Sequence, residues 1–151
     1  MMKIERYLVS LPQTPPNLQI KAVVLLALRG NMRCREINAM KWEDISINPN
    51  EYKLSINCGR GKSLLMTDRE TVHALHQCRH AIVNSDQEAV GHLWRSFDHR
   101  RNEFSSARRG FRWFQNIEKE INRVVGGKQV KRKFYLYASD PFIEWLMSAG
   151  Q

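Results

Sequence analysis

The sequence predicts a mainly α-helical domain carrying a small antiparallel β-hairpin, and three observations predict it. Apolar residues recur at helical spacing in several stretches bounded by Pro, Gly or capping residues. One stretch, EYKLSIN, changes to a period of two and is soon followed by two glycines. The 151 residues, 42% of them hydrophobic, suffice for one core and hence one domain, with no internal repeat or low-complexity tract.

Taken in order, residues 3–11 form a short helix that PQTPP ends, because Pro15 and Pro16 cannot continue it. Leu18, Val23, Val24, Leu25, Leu26 and Leu28 make residues 18–29 a strongly buried helix, with Gly30 placed to stop it. Residues 34–41 form the next helix, with Ile37, Met40 and Trp42 turned inward, and NPN then marks a turn. Tyr52, Leu54 and Ile56 alternate with Lys53 and Ser55 as in a half-buried strand; CGRGK reverses the chain and SLLM returns as its partner. Thr67 and Glu70 have the spacing of a capping box, opening a helix to residue 83 that buries Val72, Leu75 and Ile82. Residues 84–107 show no clear period. A helix follows over residues 111–125, stopped by Gly126 and Gly127, and Asp140 with Pro141 opens a last one through Met147.

Composition narrows the function classes. The longest apolar run, residues 22–28, is too short to cross a bilayer, and Glu5 and Arg6 interrupt any signal peptide, so the expectation is a cytoplasmic protein with no membrane partner. Cys34, Cys58 and Cys78 are odd in number and lack paired spacing, which argues against a disulfide framework. The net charge is +9, and residues 95–133 hold 12 basic and 4 acidic residues while the rest of the chain is close to neutral. A field so concentrated attracts polyanions, nucleic acid first among them. His73, His76 and His80 share one helix with Cys78, but no further ligand set accompanies them; no metal or other cofactor is expected. Trp94, Phe97, Phe104, Phe111, Trp113 and Phe114 lie among the arginines, where core packing is the expected role for most.

The segment GNMRCREINAMKWEDI resembles the first conserved box of the tyrosine recombinases, the phage-integrase family. That box reads Gly, any residue, Arg, two residues, Glu and an aliphatic residue, and its helix ends in a basic-Trp-x-Asp-Ile sequence. CGRGKSLLMTDRE then resembles the family's Gly-rich hairpin, strand and helix, so the likeness runs from about Ile4 to Val83. The resemblance implies a catalytic-domain-like fold whose chemistry is attack on a DNA phosphodiester. Two arginines hold the extra negative charge of the transition state by bidentate hydrogen bonds, a hairpin lysine acts as acid, histidines assist, and a C-terminal tyrosine is the nucleophile. It makes Arg33 the first arginine, with Glu36 one turn along in a bracing position. The hairpin lysine falls on Arg60, a poor general acid, with Lys62 as substitute if the register shifts.

The family's second box aligns without gaps at the end of the chain, with Phe142 on its phenylalanine, Leu146 and Met147 on its leucine pair and Gly150 on its glycine. Leu136 then takes the histidine position and Ser139 the second arginine's; a gapped alternative offers Gln129 and Arg132. Tyr135 and Tyr137 precede that box and do not carry over as nucleophile. Residues 1–151 are therefore expected to be a single degenerate integrase-like domain, without the core-binding domain that precedes it in the family or the segment bearing the nucleophile. It would bind DNA without recombining it, as a regulator linked to a mobile element. The alternatives are part of an active recombinase completed by another segment or chain, and an interaction module that has lost DNA. The expected partners are double-stranded DNA and an active integrase or a second copy. The candidate contacts are Arg33, Arg60, Lys62, Arg100, Arg101, Arg108, Arg109, Arg112, Lys131, Arg132 and Lys133.

Overall fold

The central helix follows from its composition: Ala22, Val23, Val24, Leu25, Leu26, Ala27 and Leu28 are all buried, so that stretch has no solvent face. The computed structural model describes residues 3–59 and 61–126. Its elements are α1 (Lys3–Ser10), α2 (Pro15–Gly30), α3 (Cys34–Asn38), a 3-10 turn (Trp42–Asp44), β1 (Ile45–Asn48), β2 (Lys53–Gly59), β3 (Lys62–Met66), α4 (Arg69–Asn84), β4 (Arg95–Asp98), β5 (Glu103–Arg108) and α5 (Phe111–Gly126). Helix dominates, as expected, but the sheet content is larger than one hairpin. β2 is the middle of a three-stranded antiparallel sheet, with Ile45 opposite Ile56 on one side and Leu54 opposite Met66 on the other. β4 and β5 form a second antiparallel pair within residues whose sequence shows no period. The expected helix from Asp140 to Met147 lies outside the described residues.

Helix ends differ from the sequence reading for identifiable reasons. α2 begins at Pro15, because prolines at the first two helical positions lack only N–H groups that would be unpaired there anyway. Its last residue is Gly30, but the left-handed cap is Asn31 (φ 49°), whose N–H bonds to Leu26 O. Gly30 serves close packing instead, since a Cβ there would lie 3.1 Å from Met66 Sδ and 3.3 Å from Leu64 Cδ2. α3 stops at Asn38, short of the expected residue 41, although Ile37, Met40 and Trp42 are buried as anticipated. The cap of α4 is Asp68, not Thr67: its carboxylate accepts from the Thr71 N–H at 3.0 Å and from the Thr71 hydroxyl.

Glu70, read as the other half of that cap, turns to Arg29 instead. The Arg29 guanidinium collects Asp68 at 2.8 Å, Glu5 at 3.1 Å and Glu70 at 3.4 Å, tying α1 and the start of α4 to the last turn of α2. Burial alone would lower the Arg29 pKa, but the bonds to Asp68 and Glu5 outweigh it and raise it. Burial would likewise raise the Asp68 carboxyl, yet the hydrogen bonds from Thr71 and Arg29 hold it below the ordinary value.

Residues 90–95 fasten α3 to the core. Gly91 O accepts from Trp42 N at 3.0 Å, Leu93 N donates to Met40 O at 3.2 Å, and the buried Trp94 indole N–H donates to Ile37 O at 2.6 Å. Glu43 accepts the Gly91 N–H at 2.6 Å. Arg95, 4% exposed, donates from Nε to His92 O and from its terminal nitrogen to Val90 O, while the buried Gln19 amide pairs with both backbone groups of Arg95. Among the described residues no helix is long and apolar enough to cross a membrane.

Candidate functional site

Arg33 is the N-cap of α3, its backbone extended (φ −82°, ψ 155°) where the chain leaves the Asn31 turn. Across from it, the β2–β3 turn needs positive φ at Gly59 (82°) and Gly61 (72°), a region that a Cβ disfavours. An irregularity between Asn57 and Gly59 sets Gly59 opposite Lys62. The result is an open cleft of about 420 Å³ lined by Arg33, Arg35, Glu36, Ala39, Cys58, Gly59 and Lys62. Glu36, Ala39, Cys58 and Gly59 also line a neighbouring depression of about 440 Å³.

Charge in the cleft is uneven. Glu36 Oε1 accepts the Arg33 N–H at 3.1 Å, satisfying one open donor of the first helical turn, and Oε2 accepts from Lys62 Nζ at 3.2 Å. Burial would raise the Glu36 carboxyl, but these two bonds outweigh it and hold it below the usual carboxylate range. Burial, and then Glu36, push the Cys58 thiol up, so it stays protonated. Arg33 and Arg35 are exposed, and neither guanidinium has a hydrogen-bond or ion-pair partner among the described residues. Three cations therefore surround one carboxylate; among the described residues the guanidiniums of Arg33 and Arg35 make no hydrogen bond or ion pair, and Arg33 acts on Glu36 only through its charge.

The structure thus brings two sequence candidates, Arg33 and Lys62, into one cleft. It adds Arg35, which no motif position marks and which only the turn of α3 places there. Arg60, Lys131, Arg132 and Lys133 lie outside the described residues. Arg108 reaches the far end of α3, where its guanidinium donates to Asn38 O at 3.0 Å. Arg95 pairs with Arg108 across the hairpin, so Arg100 and Arg101, in the turn after Asp98, stand at its opposite end. Both are exposed, and their N–H groups bond to Asp98 Oδ1 at 2.9 and 3.3 Å. Arg112 is exposed in the first turn of α5.

Other arginines of the basic region are engaged by the protein. Arg109 lies over the Trp113 ring at 5.2 Å, its Nε buried without a hydrogen-bond partner among the described residues, and burial lowers its pKa. Arg123 pairs with Glu120 at 2.7 Å. The aromatics are mostly core, as expected: Trp94, Phe104 and Phe114 are buried and Phe97 and Trp113 pack against them, whereas Phe111 is 53% exposed. On α4, His73 and His80 are exposed, and His76 lies 6.3 Å from His80 between ring centres. Burial, then Arg79, lowers the His76 pKa.

No protein-family model matches the chain, and no curated protein matches it. The functional reading therefore stands on the residues and their arrangement.

Proposed function

We propose that this chain is a DNA-binding protein, similar to the phage-integrase catalytic domain, that grips the duplex backbone without cutting it and regulates a mobile element from the cytoplasm. The observation that carries the reading is the pair of exposed guanidiniums, Arg33 and Arg35, without a hydrogen bond or ion pair among the described residues, on the rim of an open cleft beside Lys62. Guanidiniums match the two non-bridging oxygens of a phosphodiester, and releasing the counterions of DNA supplies the affinity. The net charge of +9 supports an encounter with a polyanion. Loss of cutting rests on the resemblance, which puts Leu136 and Ser139 at the positions of a histidine and the second arginine; a remnant of such a set gives little catalysis.

The test is binding of a labelled duplex at several salt concentrations. The logarithm of affinity is expected to fall linearly with the logarithm of salt, and Arg33→Ala with Arg35→Ala together to flatten the slope by about 1.8. Arg108→Ala with Arg109→Ala is the comparison pair. Absence of salt-sensitive binding overturns the proposal and leaves an interaction module.

One observation favours a second reading, part of an active recombinase. Lys62, the substitute for the hairpin acid, reaches the same cleft as Arg33. A nicked suicide duplex tests it, since a covalent protein–DNA adduct or strand cleavage would replace the non-cutting reading.

A further inference from the structure

The cleft already contains an anion of its own. The Glu36 carboxylate takes the Arg33 N–H with one oxygen and Lys62 Nζ with the other, at 3.1 and 3.2 Å. The two partners of the ion pair are not equally free: the Lys62 side chain is 66% exposed and that of Glu36 only 22%. Glu36 is also anchored by an N–H of the first turn of α3, a donor with no helical acceptor, whereas Lys62 ends a flexible chain. If the pair opens, the lysine leaves and the carboxylate stays.

We infer that Glu36 is an internal competitor for the phosphate: it holds Lys62 in the free protein, and Lys62 passes to a phosphodiester oxygen only when DNA enters the cleft. This rests on the DNA-binding reading and adds its regulation. Binding then exchanges one partner of Lys62 for another, so the lysine contributes little net affinity while Glu36 is charged. Once abandoned, Glu36 also stands unpaired beside the incoming phosphate and repels it. The depressed carboxyl described above keeps Glu36 ionised at neutral pH.

Glu36→Gln separates the two roles of the carboxylate. The amide oxygen still accepts the Arg33 N–H, and the charge is gone. Duplex binding is expected to tighten roughly three- to tenfold at low salt, from a freed lysine and a removed repulsion. The salt slope should steepen by about 0.9, because the abandoned Glu36 of the wild type takes up a cation that offsets one released counterion and the variant does not. Lys62→Met should abolish that steepening in the Glu36→Gln background, yet change wild-type affinity less than about twofold. A gain from Glu36→Gln that persists unchanged without Lys62 overturns the competition, as does a threefold or greater loss from Lys62→Met in the wild type. The second outcome needs no change at Glu36, so it decides the matter even if Glu36→Gln disturbs folding. Wild-type binding that is salt-sensitive but indifferent to Glu36→Gln sinks the competitor alone. No salt-sensitive binding by either protein sinks the DNA reading and the competitor with it.

Discussion

Around α3 and the β2–β3 turn, Arg33 and Arg35 face solvent with no partner among the described residues, and the chain there is not unusually basic. Around β4, β5 and α5, where the sequence is densest in arginine, Arg100, Arg101 and Arg112 are exposed, but Arg95 is buried on backbone carbonyls, Arg108 caps the end of α3, Arg109 lies on an indole and Arg123 pairs with Glu120. Charge counted along a sequence therefore maps only in part onto charge offered to a partner. An arginine has five donors and a long apolar stem, so the fold recruits it wherever carbonyls or aromatic faces need covering. What remains available to a ligand is set by the acceptors the protein itself brings near.

The largest effect that would test this contrast belongs to Arg95. Arg95→Ala strips the His92 and Val90 carbonyls of a buried donor and loosens the segment that fastens α3. A loss of about 3 kcal/mol is expected, lowering the melting temperature by roughly 10 °C. Among molecules still folded, the salt dependence of the proposed duplex binding should not change. A flatter slope without destabilisation would mean that the basic region is an interface after all.

Next comes Arg29, the mirror case, a structural arginine outside the basic region. Arg29→Met leaves Glu5, Asp68 and Glu70 facing one another and is expected to cost about 2 kcal/mol at neutral pH by denaturant unfolding. The loss should shrink in acid. The folded Asp68 pKa lies below its unfolded value near 3.8, so its stabilisation is complete well above that pH and disappears as pH falls through the folded value. An equal loss at pH 3 and pH 7 would remove the ion pair from the explanation. The smallest effect is assigned to Arg123→Ala, which breaks an exposed pair and should leave the melting curve unmoved. A measurable shift there would show that even surface pairs of the basic region stabilise the fold.

How much of this was legible depends on what local pattern can encode. The buried helix of Ala22 to Leu28, the inward Ile37, Met40 and Trp42, and the alternation of Leu54 with Ile56 all follow from periodicity, and all are buried. β4 and β5 were unreadable because the inward residue at the head of β4 is Arg95, so a charge occupies the place of a hydrophobe. β1 alternates strictly, Ile45 and Ile47 against Ser46 and Asn48, but over only four residues, too short a run to mark a strand without its pairing with β2. Thr67 and Asp68 both qualify as caps by type, and a carboxylate already held by Arg29 prevails. In the cleft, Arg33 and Lys62 were candidates on the resemblance, which did not show that they share one cleft. Arg35 and the Glu36–Lys62 pair were not legible, because they become neighbours only when the hairpin folds against α3.

The missing side chain of Gly30 bears on that cleft from behind. Gly30 is the last residue of α2, three before Arg33, and it rests against Leu64 and Met66 of the strand that begins with Lys62. It works as a shim of zero thickness, setting the gauge between the arginine side of the cleft and the lysine side. A single methyl inserted there, 3.1 Å from Met66 Sδ and 3.3 Å from Leu64 Cδ2, would require the ends of those two side chains to give by a few tenths of an ångström. The back of the cleft is thus packed by apolar side chains against a residue that has none.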